Sequence, residues 1–412
     1  MAFLKRLRDF MQSQTSNYKI LLTRSVVATF LRQMVENFTN IYIVELGATP
    51  IQLSVVRAVG AGASAIVSIP AGWLSDVYSL KRIMILGMSL QLISIICYAF
   101  AKNWQWIFTA IIFGTLTMTL VFRIQNIIIA NSLTDHNRAT GFAIRTMLRQ
   151  VLAIFAPTIG GALVYLSGGI SIDGIRPLYF IQLVGFAVIS FYVARNLKDT
   201  RPMGKAQTNK MIGQFREMLE AGENLGRFAL VQALGSITMG MSRPFIFVYV
   251  AEIKGANSLT IGYMGTSFII VSMLLAIPIG NLADTRGRKF IIFITRPFYY
   301  LSTLLLIFSP IDTSWMLLLA WGCRGIMMSS NAFNMMNMEM VPAEYRGRWT
   351  GFVSLFQNLL RIPSILIGGY IYENFNPALV FIIPLIVDVL VRMPLLNSIP
   401  DTLNSEREHF AE

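Results

Sequence analysis

Twelve apolar segments run along this chain, at roughly 20–46, 51–75, 82–101, 104–130, 141–167, 177–196, 226–253, 259–283, 289–309, 313–338, 348–372 and 376–397. A bilayer offers no partner to an exposed peptide N–H or C=O, so only helices and closed barrels cross it. Segments of about 20 residues have the length of helices. Twelve of them take about 240 residues and leave about 14 for each connection. Only 13% of the residues are charged and 55% are hydrophobic, whereas a soluble domain carries about 25% charge. The fold class is therefore an all-α multi-pass membrane protein. A soluble globule, a disordered chain and a disulfide scaffold are excluded.

A formal charge of +13 would suggest nucleic acid in a soluble protein, but here the basic residues alternate between loops. One set of loops carries Lys81, Arg82, Arg138, Lys198, Arg201, Arg286, Arg288, Lys289, Arg346 and Arg348. The other carries Lys102, Arg176 and Lys254 beside Glu45, Asp173, Asp312 and Glu373. The positive-inside rule puts the first set and both termini in the cytoplasm of a cell (inner) membrane. Residues 1–19 read as a cytoplasmic amphipathic stretch on the membrane surface. Residues 198–222 are polar and basic, with Met211, Ile212, Phe215, Met218 and Leu219 at helical spacing. They form a linker between bundles at 20–197 and 223–398, and residues 399–412 are a cytoplasmic tail. Two cysteines, Cys97 and Cys323, and two histidines, His136 and His409, leave no basis for a metal centre, a histidine triad or a cofactor.

The two halves repeat one another. Residues 41–46 (IYIVEL) match 248–253 (VYVAEI) at an offset of 207, Pro70–Asp76 matches Pro278–Asp284 at 208, and Thr140-Gly141 matches Thr350-Gly351 at 210. Parallel six-span repeats are a transporter architecture.

The run Gly280-Asn281-Leu282-Ala283-Asp284-Thr285-Arg286-Gly287-Arg288-Lys289 resembles the cytoplasmic signature of the major facilitator superfamily. With the repeat and the twelve spans, the resemblance covers nearly the whole chain. It implies two six-helix bundles related by a pseudo-twofold axis. It also implies a cytoplasmic latch in which Asp284 meets Arg288 and an acid at the end of the tenth span. Glu339, nine residues before Arg348, stands in that place. Gly280 is expected to permit close helix approach. The first-half copy, Gly72 to Arg82, keeps Gly72 and Asp76 but has Val77 and Leu80 where arginines are usual, so one latch is strong and the other weak. Ala156-Pro157-Thr158-Ile159-Gly160-Gly161 resembles the end of the antiporter motif of twelve-span drug:proton exchangers, with Pro157 as a helix kink and Gly160 and Gly161 as packing sites.

Ionisable residues at mid-membrane cost about 2.5–3.5 kcal/mol each, and they normally face protein or water. Thr29, Arg32, Glu36 and Asn40 recur at helical spacing in the first span. Arg123 follows Thr115 and Thr119 in the fourth, and Arg324, Asn331 and Asn334 share a side of the tenth. The resemblance implies that spans one, four, seven and ten line a central cavity. The offset of 207 places Glu36 opposite Arg243, so Glu36 pairs either with Arg243 across the cavity or with Arg32 on its own helix. Glu36, Arg32 and Arg243 are the expected proton-coupling set. Asn40, Arg123, Arg243, Arg324, Asn331, Phe245 and Trp321 are the expected substrate contacts. Arg145 and Arg296 are expected to reach the cytoplasmic face, and Asp388 with Arg392 forms a structural pair in the twelfth span.

The resemblance implies a secondary transporter rather than an enzyme. One reading is proton-coupled export of small amphipathic organic compounds. The other is transport of organic anions, drawn by arginines that outnumber acids inside the membrane. A non-transporting receptor of the same fold is the reading from another class. The expected partners are a small-molecule substrate, protons and the bilayer, with a monomeric chain.

Overall fold

The computed structural model describes residues 9–68, 79–199, 224–341 and 346–402. The linker helix expected within 198–222, and Gly72 and Asp76 of the first-half motif, lie outside the described residues.

The helices are α1 (Ser16–Glu36), α2 (Thr39–Glu45), α3 (Pro50–Ser68), α4 (Leu80–Ala99), α5 (Trp106–Asn131), α6 (Arg138–Ala153), α7 (Ala156–Leu166) and α8 (Ile172–Asn196). The second half contains α9 (Leu225–Ser242), α10 (Ile246–Glu252), α11 (Ser258–Arg286), α12 (Arg288–Phe308), α13 (Ser314–Ser329), α14 (Ala332–Glu339), α15 (Arg346–Asn374), α16 (Leu379–Val387) and α17 (Met393–Asn397). A π-turn over Asp388–Arg392 joins the last two. Five spans are broken helices: α1–α2, α6–α7, α9–α10, α13–α14 and α16–α17.

Among the described residues, ten helical runs are long and apolar enough to cross a membrane. The two other spans of the twelve are α1–α2, which is broken after Glu36 and carries Lys19, Arg24, Arg32 and Glu36, and α13–α14, which is broken at Ser330-Asn331. Both depart from plain hydropathy because they carry polar residues into the interior. The first span starts at Ser16, where the Thr15 side chain accepts a hydrogen bond from the Tyr18 N–H, so Lys19 belongs to the helix rather than to a leading surface segment.

Packing defines two ends. At the end bearing Glu45, Glu252, Asp312 and Glu373, one continuous apolar core joins both halves, from Phe38 and Tyr42 to Phe245 and Tyr249. At the opposite, basic end the halves keep separate cores, one around Tyr18, Met84 and Ile128 and one around Phe228, Ile291 and Trp349. The bundles are thus sealed together at the acidic end and parted at the basic end. Between them, α3 packs on α15 and α7 on α11. Lys254 secures a loop of the sealed end by donating to the carbonyls of Ile307 and Ser309, each at 2.7 Å, and burial pushes its ammonium pKa down.

Small residues set the α7–α11 contact. A Cβ on Gly161 would lie 2.5 Å from the Ser258 carbonyl oxygen, and one on Gly160 would meet the Met34 carbonyl of α1. Pro157 sits in the first turn of α7, after the break at Ile154-Phe155. Gly161→Val is expected to force α7 from α11 and lower stability by about 1–3 kcal/mol, the range for overpacking. Thermal unfolding in detergent checks this, and an unchanged midpoint would refute it. At Gly280 no heavy atom of the described residues lies within 4 Å of where its Cβ would be, so no described helix makes the close approach expected there.

Candidate functional site

The central site forms where two pseudo-equivalent helices break. Glu36 is the last residue of α1, and Arg243 opens the short 3-10 turn after α9. Arg243 Nη2 lies 3.6 Å from Glu36 Oε1, and the side chains are 68% and 45% exposed. Of the two pairings open to Glu36, the structure holds the one across the bundles. Arg32, a turn behind on α1, makes no ion pair among the described residues. A pair this open contributes little to stability. It is instead a contact that water, a proton or an anion can reach.

A second crossing lies beside it. Asn40 Nδ2 donates to the Pro244 carbonyl at 2.7 Å, while Asn40 Oδ1 accepts from Arg57 Nε at 2.7 Å. Arg57 of α3 was not among the sequence candidates, and its signal was visible, since it is the sole charge in segment 51–75 ahead of Asp76. A cavity of about 380 Å³ opens alongside, lined by Arg32, Glu36, Gln91, Tyr98, Tyr179 and Gln182 among others.

The remaining candidates divide. Arg324 stands over the rings of Trp321 and Tyr299, each at 5.2 Å, with no hydrogen bond or ion pair among the described residues. It lies close enough to Arg243 to be repelled by it, and so does Arg361 of α15. Asn331 is exposed at the α13–α14 break and accepts from Asn334 Nδ2 at 2.7 Å. Arg123 is exposed on α5 without a polar partner among the described residues. Phe245 is not a cavity wall, because it is fully buried and stacked on Tyr372 at 4.9 Å. Trp321 is mostly buried against Phe247 and presents its face to Arg324. Tyr42 and Tyr249, at matching places in the 41–46 and 248–253 repeat, both lie in the shared core.

The α11–α12 turn forms a polar cluster. Arg288 pairs with Asp284 and, through Nη2 at 3.0 Å, with Glu339 of α14. Thr402 donates to Glu339 at 2.6 Å. Asp401 accepts from the N–H groups of Arg288 and Lys289 at 3.1 and 3.0 Å. Gly287 has φ 106°, and a Cβ there would strike the Asp401 carboxylate. These contacts all tie elements of the C-terminal bundle to one another, and they include two residues of the expected tail, Asp401 and Thr402.

Arg145 and Arg296 do not reach the basic face. Arg145 is buried and donates to Ser25 Oγ at 3.0 Å and Asn126 Oδ1 at 2.7 Å. Arg296 is buried with Asp388, which also accepts from Arg392 and Tyr300. Asp388 therefore serves two arginines, not the single helical neighbour that its spacing suggested.

Two six-helix bundles around a solvent-reached, charge-lined junction define a secondary membrane transporter. The sequence profile described as Major Facilitator Superfamily matches residues 24–220 and 228–399, and the chain belongs to that superfamily. An uncharacterised MFS-type transporter of Methanocaldococcus jannaschii is 23% identical over 368 residues, which span 85% of this chain and 90% of that protein. Among solved structures, a nucleoside transporter superposes with a TM-score of 0.74 at 14% identity, over 93% of this chain and 99% of that one. A D-xylose-proton symporter does so at 0.67 and 13%, over 94% and 97%. At these identities the structural likeness carries the fold alone.

Proposed function

We propose that this chain is an alternating-access carrier of small organic anions that exchanges a proton at Glu36. The observation that carries the reading is the charge around the parted bundles. Arg32, Arg57, Arg243, Arg324 and Arg361 surround the junction, and Glu36 is the carboxylate among them. Such an excess attracts anions and repels lipophilic cations. It favours the anion reading over export of amphipathic compounds in general. Glu36 holds Arg243 while the site is empty. An anion entering the site competes for Arg243 and releases Glu36 to take a proton.

With the basic loops in the cytoplasm, the parted end opens inward and the shared core is the outer seal. The bundles then rock about the α3–α15 and α7–α11 contacts. The cluster at Arg288 braces the C-terminal bundle as a unit during that motion.

Proteoliposome flux tests the proposal. Labelled mono- and dicarboxylates and organic phosphates are compared with lipophilic cations, at clamped membrane potential. Saturable anion flux is expected, and Arg243→Gln should lower it at least tenfold, the equivalent of about 1.4 kcal/mol. Arg243→Lys should retain part of it. Flux of cations but not anions, or anion flux indifferent to Arg243, would overturn the reading.

A further inference from the structure

We propose that the N-terminal bundle contains a second anion site, for a phosphate-type oxyanion, between α1, α4, α5 and α6. The site adjoins the cavity of about 380 Å³ beside Glu36 through Arg32 and Gln91, which line both. It does not depend on the central site carrying anions.

The argument begins with uncompensated charge. Arg24 and Arg145 are 5% and 4% exposed, yet every hydrogen-bond partner they have among the described residues is neutral. Arg24 Nη1 donates to Gln125 Oε1 at 2.5 Å, and Arg145 donates to Ser25 and Asn126. Arg32 and Arg149 line the same cavity of about 70 Å³. Arg24 is close enough to Arg32 and Arg145 for mutual repulsion, and Arg149 is close enough to Arg32 and Arg145. No aspartate or glutamate lines the cavity among the described residues. Glu36 is close enough to compensate Arg32 in part, but the other three guanidiniums around this small space have no counter-charge among the described residues, and a buried cation so placed is costly.

The C-terminal bundle meets the same demand with a residue of its own. There, Arg296 and Arg392 share the buried carboxylate of Asp388. Among the described residues, this arginine cluster of the N-terminal bundle has no equivalent acid, so the missing charge is one that a ligand can bring.

Two unpartnered atoms give the ligand its chemistry. Among the described residues, Arg149 Nε is buried without a hydrogen-bond partner, and so is Gln91 Oε1 on a residue that is 8% exposed. Guanidinium forks match the oxygens of phosphate in pairs. The Gln91 oxygen accepts a hydrogen bond, and the hydroxyl of a hydrogen phosphate group supplies one. The space fits a single tetrahedral head group. That head group could come from free phosphate or from a lipid.

The test is calorimetry and thermal unfolding of the purified full-length protein in detergent. One arm titrates inorganic phosphate against chloride at matched ionic strength, and the other titrates a short-chain phosphatidate. A saturable heat and a rise in unfolding temperature are expected with phosphate, with phosphatidate or with both. A response to phosphatidate alone assigns the head group to a lipid. The response should persist in Arg243→Gln and fall at least tenfold in Arg149→Gln. If Arg149→Gln does not fold, Arg149→Lys, which keeps the charge and loses the fork, should weaken binding severalfold. No saturable response to either titrant overturns the site. Loss of response in Arg243→Gln but not at Arg149 also overturns it, because the anion would then sit in the central cavity. The first result leaves the proposed central site untouched, whereas the second is the outcome expected if Arg243 alone binds the anion.

Discussion

Asp388→Ala is expected to lower the stability of the protein by about 3–5 kcal/mol, the range for removing one partner of a buried ion pair. Asp388 has no exposed surface. Its oxygens accept from Arg296 Nε at 2.6 Å, Tyr300 at 2.9 Å and Arg392 Nη1 at 3.2 Å. Arg392 in turn donates to the Val231 carbonyl at 3.0 Å and covers the Phe333 ring. One carboxylate thereby ties α9, α12, α14 and the π-turn of the twelfth span. Without it, two guanidiniums face each other in a space that water enters poorly. The loss should appear as early thermal unfolding in detergent and a low yield of monodisperse protein. A control separates charge from shape. Asp388→Leu combined with Arg296→Met and Arg392→Met removes all three charges and should recover much of the loss, since apolar replacement of a whole buried ionic group is often neutral. An Asp388→Ala protein with an unchanged unfolding midpoint would show that the arginines find water or another partner.

The same cluster shows how far the sequence could be read. Asp388 and Arg392 were visible as a pair because four residues make one helical turn. Arg296 lies 92 residues away, and no local spacing announces that contact. Its charge in an apolar helix was therefore assigned to the basic face, where a lone arginine in a membrane helix usually goes. Arg145 was misplaced for the same reason, since its partners Ser25 and Asn126 are neutral and distant in sequence.

The Glu36–Arg243 pairing was legible for a different reason: a repeat maps one half on the other, so an offset can stand in for a contact. That logic stops within a residue or two of a helix break. Arg243 and Phe245 are neighbours in the 3-10 turn around Pro244, yet Arg243 is exposed and meets Glu36 while Phe245 stacks on Tyr372. The α1–α2 break carries no proline to mark it. The α13–α14 break falls at Ser330-Asn331, and hydropathy does not register either. No spacing in the expected tail shows that Asp401 is held by the α11–α12 turn and Thr402 by Glu339 of α14. The apolar pattern gave the spans and the motif gave the family, whereas buried polar partners required the folded chain.

Glu36→Gln is expected to abolish accumulation driven by a pH gradient while leaving solute exchange between the two sides of the membrane intact. Arg243 Nη2 stands 3.6 Å from Glu36. In the proposed cycle an anion that takes Arg243 frees Glu36 of that contact, so substrate entry and proton exchange meet at one side chain. Glutamine keeps the size of the group and can still accept a hydrogen bond from the guanidinium, but it cannot carry a proton across. Coupling should therefore be lost while the empty carrier still closes. Arg243→Gln differs in kind, because it removes the substrate's partner and should depress exchange as well as net uptake. The double variant should be no worse in exchange than Arg243→Gln alone, since residues that act through one contact are not additive. The measurement is paired counterflow and gradient-driven uptake in the same proteoliposomes, with internal and external pH set independently. If Glu36→Gln accumulates substrate against a gradient as the unmodified protein does, proton exchange lies elsewhere and the pair serves only to close the empty carrier. If it loses counterflow too, Glu36 belongs to substrate binding instead of to coupling.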